Sequence, residues 1–328
     1  MQQLVINTYG TYLSKKDGCF RLKNDENTVD ISPKKIKSII ISTGCSLSSD
    51  AIELALENNI DVVLLDKFGN PLGRVWHCKP ASTNLIRRRQ LEISSNEDGF
   101  EMAKEWILEK INHQVKFLDK LAIKRSQEKQ ETVKEYKLNI DKLKTKISEL
   151  KGYSEEIREQ LMGYEGNCGK NYFAVLEYLI PERFKFSGRS ARPAKDEFNC
   201  MLNYAYGVLY SQVERSIILA GLDPYIGFIH TDDYNKKSMV FDLIEQYRIY
   251  ADEIVFHLFS QKKVNDEYFD KIKGGFSLNK EGKKVLISTL NEHLDSTINY
   301  RGRNIKRRDS IQFDCHRIAN KLIGEEDK

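Results

Sequence analysis

No apolar stretch in this chain approaches the ~20 residues needed to cross a bilayer, so no membrane partner is expected. Cysteine is sparse and unpatterned: six thiols stand at 19, 45, 78, 168, 200 and 315, without a single C-x-x-C. That speaks against a disulfide framework or a zinc ribbon and suits reduced thiols. The N-terminus, Met-Gln-Gln-Leu-Val-Ile-Asn, lacks a basic segment followed by an apolar one, so a cytoplasmic protein is expected. Net charge is only +4 over 328 residues, less than a dedicated nucleic-acid binder carries. A nucleic-acid surface would therefore have to arise from local clustering. There is no internal repeat and no low-complexity segment. The length allows a substantial core and about two domains.

Two kinds of periodicity divide the chain. Up to residue 80, short apolar or β-branched runs at 4–8, 11–14, 19–22 and 28–31 alternate with turn residues, as strands do. The run at 36–42 contains three consecutive isoleucines and suits a strand buried on both faces. Ser48, Ser49 and Asp50 offer N-cap residues to a short helix at 51–57, and 61–65 and 74–76 read as further strands. From Ser82 onward strand signals nearly vanish and helical periodicity dominates, with Pro80 at the junction. The expected fold class is α+β: a small β-rich domain at 1–80 with one short helix, then a large all-α domain at 81–328. Lys and Glu alternate through 102–150, the mark of solvated helices in a hairpin.

Three settings place acids or imidazole inside apolar runs. A helix at 155–179, capped by Ser154, has the stripe Ile157, Leu161, Glu165, Cys168, Tyr172, Val175, Leu179, in which Glu165 is the one charged member. The bland alternatives are an Arg-paired buried Glu or a stripe rotated to expose it. His230 ends Tyr-Ile-Gly-Phe-Ile-His, just after a helix at 198–220 that stops at Gly221 and Pro224. A lone histidine is more often structural than a ligand. Ser238 can cap a further helix on which Asp242 and Glu245, three apart, would share a face and therefore a cation. Arg248 is the rival partner, in a plain ion pair. One imidazole with two or three carboxylates suits Mg²⁺ or Mn²⁺ better than zinc, and a hard divalent ion beside basic segments points to phosphodiester chemistry.

Four motifs then carry a family resemblance: Tyr-Glu-Gly-Asn-Cys-Gly-Lys-Asn-Tyr-Phe (164–173), Arg-Ser-Ala-Arg-Pro-Ala-Lys-Asp-Glu-Phe-Asn-Cys-Met-Leu-Asn-Tyr-Ala-Tyr (189–206), Gly-Leu-Asp-Pro-Tyr-Ile-Gly-Phe-Ile-His (221–230) and Phe-Asp-Leu-Ile-Glu-Gln-Tyr-Arg (241–248). In order and spacing the chain resembles the Cas-one family of CRISPR adaptation integrases across nearly its whole length, most weakly after residue 262. The resemblance implies a metal-dependent DNA endonuclease and integrase of antiviral defence, joining 3′-hydroxyl ends of short double-stranded fragments into a repeat array by transesterification. It implies Glu165, His230 and Glu245 as ligands of Mg²⁺ or Mn²⁺, with Asp242 as an auxiliary catalytic acid. Two departures stand out. The last ligand, often Asp, is Glu245, and two alanines usual after the glutamate are replaced by Cys168 and Gly169. The implied partners are DNA, a second copy of the chain through the β domain, and a small Cas-two protein bridging dimers.

Two basic segments suit the DNA backbone. Residues 183–195 carry five cations and no acid, which makes Arg183, Lys185, Arg189 and Arg192 candidate phosphate contacts, together with Arg248. Phe184 and Phe186 have two readings, base stacking or core packing. Residues 301–308 hold five cations in eight and read as a basic patch or a solvated loop. Other classes compatible with the residues are a metal nuclease acting on branched DNA in repair and a non-catalytic DNA-binding scaffold whose carboxylates pair with arginines.

Overall fold

Alternation along the isoleucine triplet explains how the N-terminal part is built. In the computed structural model, which describes residues 2–25, 27–66, 68–69, 71–75, 84–123, 125–230 and 236–324, the triplet lies in strand β5 (Ile36–Ile41). It pairs in parallel with β1 (Gln2–Ile6) and β7 (Asp61–Leu65), and β7 pairs antiparallel with β8 (Pro71–Val75). Successive side chains of a strand leave on opposite faces. Ile39 and Ile41 accordingly enter a small core with Ile6, Leu13, Phe20, Leu54 and Val62. Ile40 and Val63 on the other face belong to the large core of the helices. The expected two-sided burial is observed.

The small core is closed by a second sheet, in the order β4 (Thr28–Ile31), β3 (Cys19–Lys23), β2 (Tyr12–Lys16) and β6 (Ser46–Leu47), and by helix α1 (Ser49–Glu57). Ser48 caps α1 by accepting from the amide of Ala51. The sequence reading missed β6, which is two residues long. The proposed junction at 78–82 lies outside the described residues.

The helical part contains α2 (Asn84–Ile93), α3 (Glu97–Ala122), α4 (Gln127–Glu149), α5 (Glu155–Leu179), α6 (Glu197–Leu219), α7 (Ser238–Ile244), α8 (Ile249–Ser260), α9 (Lys280–Asp295) and α10 (Arg307–Ile323). Helix α6 is buried nearly all round and ends as its sequence demands, with Gly221 left-handed at φ 82°. Among the described residues, no helix is long and apolar enough to cross a membrane.

The C-terminal region is not all-α. It carries two β-hairpins, β9 (Phe269–Ile272) with β10 (Gly275–Leu278) and β11 (Thr297–Tyr300) with β12 (Arg303–Lys306). Their strands are four residues long, too short for alternation to show in sequence. The basic run 301–308 is therefore the turn of a hairpin, strand β12 and the first turn of α10. Arg308 is buried, with its guanidinium on Asp295 at 2.9 Å.

Candidate active site

Helix α5 delivers Glu165 from the stripe anticipated for it. Ser154 caps the helix at the amide of Ile157, and Leu161, Cys168, Tyr172, Val175 and Leu179 are all buried. Glu165 is half-buried at the edge of that stripe and opens on a cavity of about 960 Å³. The cavity is also lined by Lys110, Gln114, His230, Glu245 and Arg248. Three segments far apart in sequence thus bring Glu165, His230 and Glu245 to one concave surface.

What lies between the carboxylates is a side chain the sequence reading left in a solvated hairpin. The Lys110 ammonium bonds Glu165 Oε1 and lies 2.5 Å from Glu245 Oε2. The other oxygen of Glu245 takes Arg248, at 2.9 Å from Nε and 2.8 Å from Nη2. Burial works against ionisation of Glu245, but the Arg248 guanidinium and the Lys110 ammonium outweigh it and hold the carboxyl down to about 2. Burial likewise opposes the charge on Lys110, and Glu245 and Glu165 overcome it, raising the ammonium above its ordinary value. A signal for Lys110 existed. In α3 the buried positions Ala103, Ile107, Lys110, Gln114, Phe117 and Leu121 recur at helical spacing, so Lys110 and Gln114 sit within an apolar stripe, as Glu165 does.

Asp242 does not share a cation with Glu245. Lys237, not Ser238, stands at the cap of α7, without a side-chain hydrogen bond, and Glu245 opens a tight 3₁₀ turn beyond it. The two acids consequently face different partners. Asp242 Oδ2 accepts the backbone amides of Phe228 at 2.5 Å and Ile229 at 3.1 Å. Its Oδ1 accepts the amide of His230 at 3.1 Å and meets His230 Nδ1 at 2.5 Å. With 1% of its side chain exposed, Asp242 pins the loop that carries the histidine and does not line the cavity. In this arrangement Asp242 acts on the site through His230, where the sequence suggested an auxiliary acid. Gly227 is required here: a Cβ would lie 2.8 Å from Asp242 Oδ2 and 2.6 Å from the Ser238 side chain.

With Nδ1 turned to Asp242, Nε2 is the ring nitrogen that faces a ligand, the arrangement that orients a histidine for a metal. Among the described residues, no three His, Cys, Asp or Glu side chains stand close enough to hold a metal ion in this arrangement. The donor chemistry nevertheless suits a hard divalent ion, because two carboxylates already converge on a cation.

The basic segment splits. Arg189 lines the cavity beside Arg248, held by Asn199 Oδ1 and by Asn203 Oδ1 at 2.7 Å, and the two guanidinium groups lie 5.4 and 4.7 Å from the Tyr206 ring centroid. Arg192 lines an adjoining cavity of about 400 Å³ that shares Arg189, Tyr206 and Arg248. Arg183 instead pairs with Asp266, and Lys185 with Glu177 on the wall of the larger cavity; neither cation itself lines either cavity. Phe184 and Phe186 are core residues, edge-on to Phe259 and stacked 4.3 Å from Phe198.

Comparison with known proteins places this architecture. The family model described as CRISPR associated protein Cas1 matches residues 4–292. The chain belongs to the Cas1 family. The CRISPR-associated endonuclease Cas1 1 of Archaeoglobus fulgidus is 33% identical over 335 residues, covering 98% of this chain and 97% of the relative. Two solved structures share the fold. A casposase bound to integration product matches with TM-score 0.86 at 23% identity, covering 100% of this chain and 92% of that one. A Cas6-RT-Cas1–Cas2 complex matches with TM-score 0.80 at 21% identity, covering 99% of this chain and 35% of that one. The Cas1 fold thus accounts for both the β-rich part and the helical part.

Proposed function

We propose that this Cas1 family chain is a metal-dependent DNA endonuclease and integrase that inserts short fragments into a repeat array by transesterification. The observation that carries the reading is the convergence of Glu165 and Glu245 on one cation, beside a histidine whose Nε2 is left free by Asp242. The Archaeoglobus relative named an endonuclease, and the casposase bound to integration product, give the same direction. Bound by Glu165, His230 and Glu245, Mg²⁺ or Mn²⁺ would supply charge to the phosphoryl oxygens and favour ionisation of the attacking hydroxyl.

The remaining work belongs to the chain. Glu165 and Glu245 contribute negative charge from two rigid helical elements, and His230 a neutral nitrogen. Arg189 and Arg248, set side by side against Tyr206, face where a phosphate backbone would lie and fix its register. In joining, the 3′-oxygen of the fragment forms a new P–O bond, losing its proton, while the bond to the displaced strand's oxygen breaks and that oxygen gains a proton. With water in place of the hydroxyl the same geometry gives cleavage. Purified full-length protein should join a fragment with free 3′-hydroxyls to repeat-containing DNA in Mg²⁺ or Mn²⁺ and lose the reaction in EDTA. DNA binding without joining or cleavage under any divalent ion would leave the scaffold reading, and cleavage without joining the repair nuclease.

Replacing Arg189 and Arg192 together by alanine should weaken DNA binding at all sequences. The slope of log affinity against log salt should flatten by about one unit per lost phosphate contact. An unchanged slope would mean that this segment stays off the backbone. Arg183 and Lys185, already paired with acids, are expected to contribute less.

The chain is further proposed to act as a homodimer through its β-rich part, with a small Cas2-type protein bridging dimers, Cas2 being the partner named in the Cas6-RT-Cas1–Cas2 complex above. The reason differs from that read in the sequence. Helices already cover the second face of the β1–β5–β7–β8 sheet, so apolar faces do not call for a second copy. What stays open is the edge strand β4 with Val29 exposed, together with Tyr9 at 84% and Leu72 at 72% exposure. Two 3′-ends also need two sites. Light scattering at micromolar concentration should give about twice the 38.1 kDa chain mass, and a persistent monomer with full joining activity would defeat the idea.

A further inference from the structure

Both oxygens of Glu245 are already engaged by cations, Oε2 by Lys110 and Oε1 by Arg248. A divalent ion that uses Glu245 must therefore either share an oxygen with a like charge at contact distance or displace one of the two. Arg248 is the anchored one: its guanidinium lies on the Tyr206 ring at 4.7 Å and grips a single carboxylate with two nitrogens. Lys110 is the yielding one. Its ammonium is a point charge on a four-carbon stem, and it occupies the space between Glu165 and Glu245 that a shared ion would need.

We infer that Lys110 is a resident counter-ion which keeps the two carboxylates together in the metal-free protein and is displaced when a divalent ion binds. This rests on the metal reading of the site and adds to it a residue that sets metal affinity. The physical logic is competition. Two carboxylates that face each other in a largely buried cavity repel unless a cation lies between them. Lys110 is 10% exposed at its side chain, Glu245 9% and Glu165 18%, so water does little of that screening. The lysine thus preorganises the ligands without metal, and the bonds it makes are lost when the ion enters. Gln114, one turn further along the same face of α3, lines the cavity with a buried amide oxygen that has no hydrogen-bond partner among the described residues. It offers the displaced ammonium an acceptor.

The test measures Mn²⁺ binding by titration with electron paramagnetic resonance detection, using full-length protein without DNA. Lys110→Met should bind Mn²⁺ at least tenfold more tightly than the wild type, and Lys110→Arg more weakly, because a bulkier cation is harder to displace. In parallel, Lys110→Met should melt at lower temperature in EDTA and recover more of its midpoint on adding Mn²⁺ than the wild type gains. The wild-type Lys110 amine should also become more reactive to acetic anhydride with Mn²⁺ present, as read by mass spectrometry. Equal Mn²⁺ affinity in wild type and Lys110→Met, with an unchanged labelling pattern, would overturn the counter-ion role and leave the metal site standing. Should Lys110→Met fail to fold, the affinity of Lys110→Arg and the labelling of the wild type decide the matter. No Mn²⁺ binding to any of the proteins would overturn the metal reading itself and this inference with it.

Discussion

Replacing His230 by alanine is expected to abolish strand joining and cleavage together, by ~10²–10³-fold or more, the loss seen when one charge-stabilising group is taken from an active site. Glu165→Ala should do the same. Neither change should cost much stability. The His230 side chain is 20% exposed, and without it Asp242 still accepts three backbone amides. Without Glu165, Lys110 still has Glu245. DNA affinity should also persist, because Arg189 and Arg192 are untouched. The measurement pairs a joining assay in Mg²⁺ with fluorescence anisotropy on the same protein. A His230→Ala variant that joins at wild-type rate would show that the chemistry happens elsewhere, whereas loss of binding in step with joining would make the residue a DNA contact.

How far the site could be read from sequence depended on which physical signal each residue leaves. Glu165 was legible because a charge in an apolar helical stripe breaks a strong pattern, and Ser154 fixed where that helix begins. Ile39, Ile40 and Ile41 announced a strand covered on both faces, and Gly221 announced the end of α6. Lys110 left the same kind of signal as Glu165, but the Lys/Glu alternation around it masked the stripe. The pairing of Asp242 with the 228–230 loop was not legible, because a 3₁₀ turn at Glu245 breaks the helical phase that would have placed the two acids together. The hairpins at 269–278 and 297–306 were missed because a four-residue strand carries too little alternation to outweigh the helices on either side. The split of the basic segment depended on partners outside it: the remote acid Asp266 takes Arg183, while the amides of Asn199 and Asn203 on α6 hold Arg189 over the cavity.

Asp242→Ala should be the most destabilising single change at the site. The carboxylate is 1% exposed and its two oxygens serve four donors: the amides of Phe228, Ile229 and His230 and the His230 ring. Removing it leaves three backbone N–H groups without a partner where water has little access, and an orphaned buried donor costs ~1–3 kcal/mol. Partial relaxation of the loop offsets some of the cost of three such donors, so the expected loss is about 3–5 kcal/mol. Asp242→Asn should recover only part of it, because the amide nitrogen would face a donor whichever way the group is turned. Catalysis should fall in both variants, since a ring no longer held at Nδ1 does not keep Nε2 aimed into the cavity, a loss worth ~10–100-fold for outer partners of metal-binding histidines. Urea unfolding gives the stability and Mn²⁺ titration the readiness of the site. An Asp242→Ala protein within ~0.5 kcal/mol of the wild type, the scatter typical of inconsequential surface changes, would mean that the loop holds itself and that Asp242 is the auxiliary acid after all.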